Sequence, residues 1–221
     1  MSKQKVVAFV PLRANSKRIP GKNQIPLGGH PLAWWICDAL LKSDEIDEVY
    51  VFCSSEDSIV GLPSDVKFLK RDVSLDSDST KGIEIYRSFV DCVEAGVYVL
   101  AHATSPFIKV KTISDAVRSV VHSDYDSAFT VMPQQTFAWY QDEPLNYDLS
   151  NIVRTQELDP IYFETSALYI FERDVLARND RRIGFNSKMI VTIGAEALDI
   201  DNPEDFELAR AYAEFGELSN R

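Results

Sequence analysis

The chain has 221 residues, 45% of them hydrophobic, enough for one large domain with a full core. Its net charge of −11 argues against a broad basic face that would bind nucleic acid. No run of 18 apolar residues is present to span a membrane, and the start, MSKQK, lacks the apolar core of a secretion signal, so a cytoplasmic protein is expected.

Val6 to Val10 is a short apolar, β-branched run that reads as a buried strand. It opens into a loop that carries Arg13, Lys17, Arg18 and Lys22, with Ser16 and Asn23 among them. Two readings fit these four cations in an acidic protein: a solvated basic loop, or a pocket for a small polyanion such as a phosphate chain. The position favours the pocket, because open α/β sheets bind ligands beyond the carboxyl ends of their strands. Gly28 and Gly29 follow, and then a helix, which adds backbone N–H groups.

Leu32 to Leu41 has helical spacing, with Pro31 placed for a first turn. Trp34 and Trp35 on it fit core packing, with base stacking as the other use. Glu48 to Ser54 and Val66 to Leu69 read as strands, the second running into Arg71 and a Ser/Asp-rich loop, Asp72 to Thr80. Gly82 to Val93 reads as a helix, and Val97 to Ala101 as an apolar strand opening into His102, Ala103, Thr104, Ser105 and Pro106. A helix is expected from Thr112, with Asp115 closing an approximate capping box. Ser127 to Met132 is the next strand. This alternation argues a three-layer α/β/α domain around a mainly parallel sheet.

Pro133 to Asp159 breaks the pattern. It is polar, aromatic and irregular, as functional arms and oligomer contacts often are. Tyr162 to Phe171 and Met189 to Ile193 return as strands. Asn202 then caps a helix with Pro203 at its first position and Glu204 and Asp205 in its first turn. No linker divides the chain. Cys37, Cys53 and Cys92 have neither CxxC spacing nor histidine partners and read as reduced core thiols.

Asp199-Ile200-Asp201 is expected at the end of a late strand, where residues two apart put both carboxylates on one face. Such a pair suits Mg²⁺, which takes carboxylate, water and phosphate oxygens; the bland alternative is a helix N-terminus that attracts acids. No GxGxxG, Walker loop or GxSxG elbow occurs. His102 reads as a neutral loop residue or a ligand hydrogen bond rather than a catalytic base.

Pro11 to Asn23 (PLRANSKRIPGKN) resembles the first motif of the acylneuraminate cytidylyltransferases, a family that includes CMP-legionaminate, CMP-pseudaminate and CMP-Kdo synthetases. Arg71 with Asp76 to Thr80 resembles the second motif, His102 to Phe107 the third, and Leu198 to Asp201 with the following Asn-Pro-Glu-Asp the last. The resemblance implies a GT-A-like nucleotidyltransferase fold, with 133–165 as an arm that builds a homodimer. It implies transfer of CMP from CTP to a sugar acid with Mg²⁺, releasing pyrophosphate, for surface glycans.

It also implies roles. Arg13, Ser16 and Lys22 would hold the triphosphate with help from Lys17, Asn23 and Arg71 would surround the nucleotide, and His102 would join them. Asp199 and Asp201 would hold the metal, and Arg13, Lys22 and Asp201 would carry catalysis. Two departures concern the acceptor. Several relatives place an Arg just before the strand matching Ala167 to Phe171, where this chain has Tyr162 to Ser166, leaving Arg154 on the arm as a substitute. His102 also stands where many relatives carry Gln. A GT-A glycosyltransferase and a catalytically silent nucleotide-binding subunit are the competing readings.

Overall fold

A computed structural model describes residues 4–13 and 18–215. Along the chain run β1 (Val6–Pro11), a ribbon of β2 (Pro26–Leu27) and β3 (His30–Pro31), α1 (Leu32–Leu41), β4 (Glu48–Cys53), β5 (Lys67–Lys70) and α2 (Gly82–Cys92). Then come β6 (Val97–Ala101), α3 (Val110–Val121), β7 (Ser127–Gln134), a ribbon of β8 (Trp139–Tyr140) and β9 (Glu143–Pro144), and β10 (Ile161–Glu172). The chain continues through α4 (Arg173–Asn179) and β11 (Ser187–Val191) to α5 (Pro203–Glu214).

Seven strands form one sheet in the order β11-β7-β10-β6-β1-β4-β5. Every neighbouring pair is parallel except the two made by β10, which runs antiparallel to both β6 and β7. The alternation of β1 explains the layers. Val6, Ala8 and Val10 pack toward α1 and α3, whereas Val7 and Phe9 pack toward α2 and α4. Phe9 stacks on Phe89 of α2 with ring centroids 4.2 Å apart. A third cluster seats α5 through Phe206 and Ala209 against Ile19, Trp35, Phe107 and Ile200, tying the end of the chain to the loop after β1.

Several expectations need correction. Pro31 is the N-cap of α1 and ends β3, rather than lying in the first turn. The α3 helix begins at Val110 behind Lys109, and no capping box starts at Thr112. The Thr112 hydroxyl donates to Glu196 instead, and Asp115 pairs with Lys111 and Arg118. Cys37 and Cys53 are buried thiols, but Cys92 is exposed. Trp35 is buried and donates its indole N–H to the Leu27 carbonyl, and Trp34 stacks on His30, so both are packing residues.

The segment that broke the pattern has its own order. β7 and the first half of β10 extend the sheet by pairing Val131–Gln134 with Ile161–Glu164, and the β8–β9 ribbon lies between them. Trp139, Tyr140, Leu145, Leu149 and Ile152 of this arm are more than half exposed. Among the described residues no helix is long and apolar enough to cross a membrane.

Candidate active site

Because β1, β4, β5 and β6 are parallel, the loops that leave their carboxyl ends share one edge of the sheet. The loop after β1 delivers Arg13, Arg18, Lys22 and Asn23, β5 delivers Arg71, and β6 delivers His102, Ala103 and Thr104. All of these line a cavity of about 420 Å³, joined by Asp78, Gly82 and Tyr86. That volume is typical of small-molecule sites. Ser16 and Lys17 lie outside the described residues.

Gly21 turns the basic loop with φ 67°, a left-handed conformation suited to glycine, and the chain enters a short 3₁₀ turn at Lys22. The Lys22 side chain is only 12% exposed, with its ammonium 3.7 Å from Asp201 Oδ1. It also donates to the Ile200 carbonyl at 2.7 Å. Burial lowers the Lys22 pKa, opposed by the charges of Asp201 and Asp199. Arg18 Nη1 reaches Asp201 Oδ2 at 3.0 Å. Asn23 donates to the Arg13 carbonyl at 3.3 Å and so braces the start of the loop. Cations from the front of the chain and acids from its end therefore meet.

The acids do not sit at the end of a paired strand, as the sequence suggested. Gly194–Ala197 forms a 3₁₀ turn, and 198–201 is an extended segment outside the sheet. It docks on the loop after β6 through Ile200 N–H, which donates to the Thr104 carbonyl at 2.9 Å. Ile200 points into the core, fully buried, so Asp199 and Asp201 share the opposite side. Asp205 caps α5 by accepting from Asn202 N–H at 2.8 Å and Asp201 N–H at 2.9 Å, so the Asp201 carboxylate is left to Arg18 and Lys22.

Asp199 Oδ1 is buried without a hydrogen-bond partner. Burial raises the Asp199 pKa, as does the Asp201 charge, against a hydrogen bond from Thr104. An orphaned carboxylate oxygen beside a second carboxylate is the arrangement a divalent cation would relieve. No cluster of three or more His, Cys, Asp or Glu side chains suited to a metal occurs among the described residues. A cation held here would take its remaining ligands from water or substrate.

Arg71 lines the cavity from a buried position. Its guanidinium is fully covered, pairs with Asp76 and donates to the Phe52 carbonyl, while its Nε has no partner. This arginine is thus a fixed wall rather than a mobile arm. His102 Nδ1 lies in hydrogen-bond contact with the Ser166 carbonyl, which can only accept, so Nδ1 carries the proton. Nε2 then accepts from the Tyr86 hydroxyl at 3.4 Å. Burial pushes the imidazole below its usual pKa, with Arg182 and Lys22 adding to the effect. A neutral imidazole held between two partners is a wall and a hydrogen-bonding group.

Ser166 makes that contact from a left-handed backbone, φ 59°, inside an irregularity of β10 between Glu164 and Tyr169. Tyr86 was not singled out from the sequence, and Thr104 was named only as part of the loop after β6, with no role. Tyr86 belongs to an apolar helix face and reads as core, and only its place over Gly82 reveals it: a Cβ on Gly82 would stand 2.9 Å from its hydroxyl. Arg154, the suggested substitute for the missing arginine, is instead exposed on the arm and bound to Glu157.

The sequence model of the cytidylyltransferase family matches residues 7–217. The chain belongs to that family. It is 26% identical over 225 residues to N-acylneuraminate cytidylyltransferase A of Danio rerio, covering 96% of this chain and 52% of that protein. It is also 26% identical to the CMP-N,N'-diacetyllegionaminic acid synthase of Legionella pneumophila, covering 96% of this chain and 98% of the relative. The chain thus spans about half the length of the acylneuraminate cytidylyltransferases it matches, from fish and from streptococci, and nearly all of the legionaminic acid synthase. In fold, the chain superposes with a TM-score of 0.68 on a CMP:2-keto-3-deoxy-manno-octonic acid synthetase complexed with CTP. That match has 17% identity and covers 96% of this chain and 99% of the other.

Proposed function

We propose that this cytidylyltransferase transfers CMP from CTP to a hydroxyl of a sugar acid of the nonulosonic or Kdo type and releases pyrophosphate. The observation that carries the reading is that Lys22 and Arg18, which line the cavity, reach Asp201 at 3.7 Å and 3.0 Å. Relatives named for sialic and legionaminic acids support the acceptor class.

In this reading the acceptor hydroxyl attacks the α-phosphorus in line and gives up its proton to solvent, a new P–O bond forms, and the bond from the α-phosphorus to the bridging oxygen breaks to release pyrophosphate. Negative charge grows on the leaving pyrophosphate. Lys22, Arg13 and Arg18 line the cavity where positive charge would offset it, and of the three the largely covered Lys22 is strengthened most by its surroundings. Asp199 and Asp201 would hold Mg²⁺, which neutralises phosphate charge when bound. Arg71, Asn23 and the neutral His102 wall the nucleotide and need no covalent chemistry to act.

The arm, 133–165, belongs to the same unit and carries the apolar surface for a second copy of the chain; a mass near 25 kDa in solution, that of one chain, would reject the dimer. We place the reaction in the cytoplasm, in keeping with three free thiols.

The test is pyrophosphate release with CTP, ATP, GTP and UTP against sialic, legionaminic, pseudaminic and Kdo acids. The expected result is release that needs CTP and at least one of the acids. Tight CTP binding with no release across the panel would favour a silent nucleotide-binding protein.

A further inference from the structure

A second cavity, of about 360 Å³, adjoins the nucleotide pocket and shares Gly82 and Tyr86 with it as common walls. Its far side is built by Asp180, Arg181 and Arg182. Asp180 ends α4 in a left-handed turn, φ 55°, and turns the chain back over this opening.

The charges there do not cancel. Asp180 is held at 2.6 Å by Arg87 from α2. Arg181 lies 4.4 Å over the Phe185 ring and forms no ion pair among the described residues. Arg182 is held more firmly. Its guanidinium stacks 4.0 Å from the centre of the Tyr169 ring, and one nitrogen sits 3.2 Å from Glu164 Oε2. The Tyr169 hydroxyl donates to that same oxygen at 2.6 Å. Ring and carboxylate together fix the plane of the guanidinium. A guanidinium has five N–H donors, and the Glu164 contact uses one edge of the fork. Tyr169 also faces His102, ring centroids 6.2 Å apart, so Arg182 is one aromatic layer from the nucleotide pocket.

We propose that Arg182, with Arg181 beside it, is the anion-recognising subsite for the acceptor, binding a carboxylate or another fixed negative group of the sugar acid. This rests on the reading of the acceptor as a sugar acid. Arg154, the other cation considered for the acceptor, is exposed on the arm and paired with Glu157. Glu164 sets the strength of the subsite, because it competes with substrate for the same guanidinium.

The test is steady-state pyrophosphate release with the acid that wild type uses best and with the C1 carboxamide of that acid. Arg182→Ala should raise KM for the acid ~30-fold, the scale of one charge-assisted contact, and leave KM for CTP within ~2-fold. The preference for acid over amide should shrink by a similar factor. Arg182→Lys should recover part of it. Glu164→Gln keeps an acceptor for Tyr169 but removes the competing charge, and should lower KM for the acid. Unchanged KM for the acid in folded Arg182→Ala and Arg181→Ala, with wild type active, would overturn the subsite alone. A loss shared equally by CTP would do the same, because it would mark a structural role. No turnover by wild type with any acid would overturn the functional reading and this subsite with it.

Discussion

Lys22→Ala is expected to lower turnover at least ~100-fold while the protein stays folded, the scale of losing a main charge stabiliser. Lys22 is where the two halves of the site touch. Its side chain is largely covered, its ammonium is aimed by the Ile200 carbonyl, and Asp201 lies on its other side. Truncation costs one hydrogen bond and one partly screened ion pair, about 1 kcal/mol of stability. The catalytic loss is larger because the charge acts in the transition state, where the leaving oxygens become more negative than in bound CTP. Steady-state pyrophosphate release, read beside a thermal melt, separates the two effects. Turnover within ~3-fold of wild type would remove Lys22 from the mechanism.

Asp199→Asn is expected to do two opposite things. Turnover should fall by ~100-fold or more, because half of the carboxylate pair is gone. Stability should rise by about 1 kcal/mol, because the negative charge that burial and Asp201 both disfavour is removed. For a domain of this size that is a rise in Tm of roughly 2–4 °C. A functional site that holds an unfavourable charge trades stability for activity in this way. A variant that melts earlier than wild type would show that Asp199 supports the fold and is not strained by it.

Most of the sheet was legible because its strands are short apolar runs closed by turn residues. The α1 helix and β6 fall on the ranges their periodicity predicts, and α5 carries its cap in the Asn202-Pro203-Glu204-Asp205 run. The start of α3 was not legible: Thr112 spends its hydroxyl on Glu196, a partner 84 residues away that no local pattern reveals. Asp199 and Asp201 were legible as a pair but not in placement, since the segment is extended by docking on Thr104 and not by strand pairing. The basic loop, Lys22, Arg71 and His102 could be found from their position after apolar strands. Arg182 could not. A basic pair after a helix reads as surface charge, and only the folding of β10 beneath it brings Tyr169 and Glu164 to hold it.

The most direct measurement is a crystal structure of the protein grown with CTP and Mg²⁺. The account predicts a triphosphate running between Lys22 and Arg18 on one side and Asp199 and Asp201 on the other, with metal on the carboxylates and the base toward Arg71. A nucleotide bound anywhere else on the molecule, or phosphates out of reach of Lys22, would contradict it.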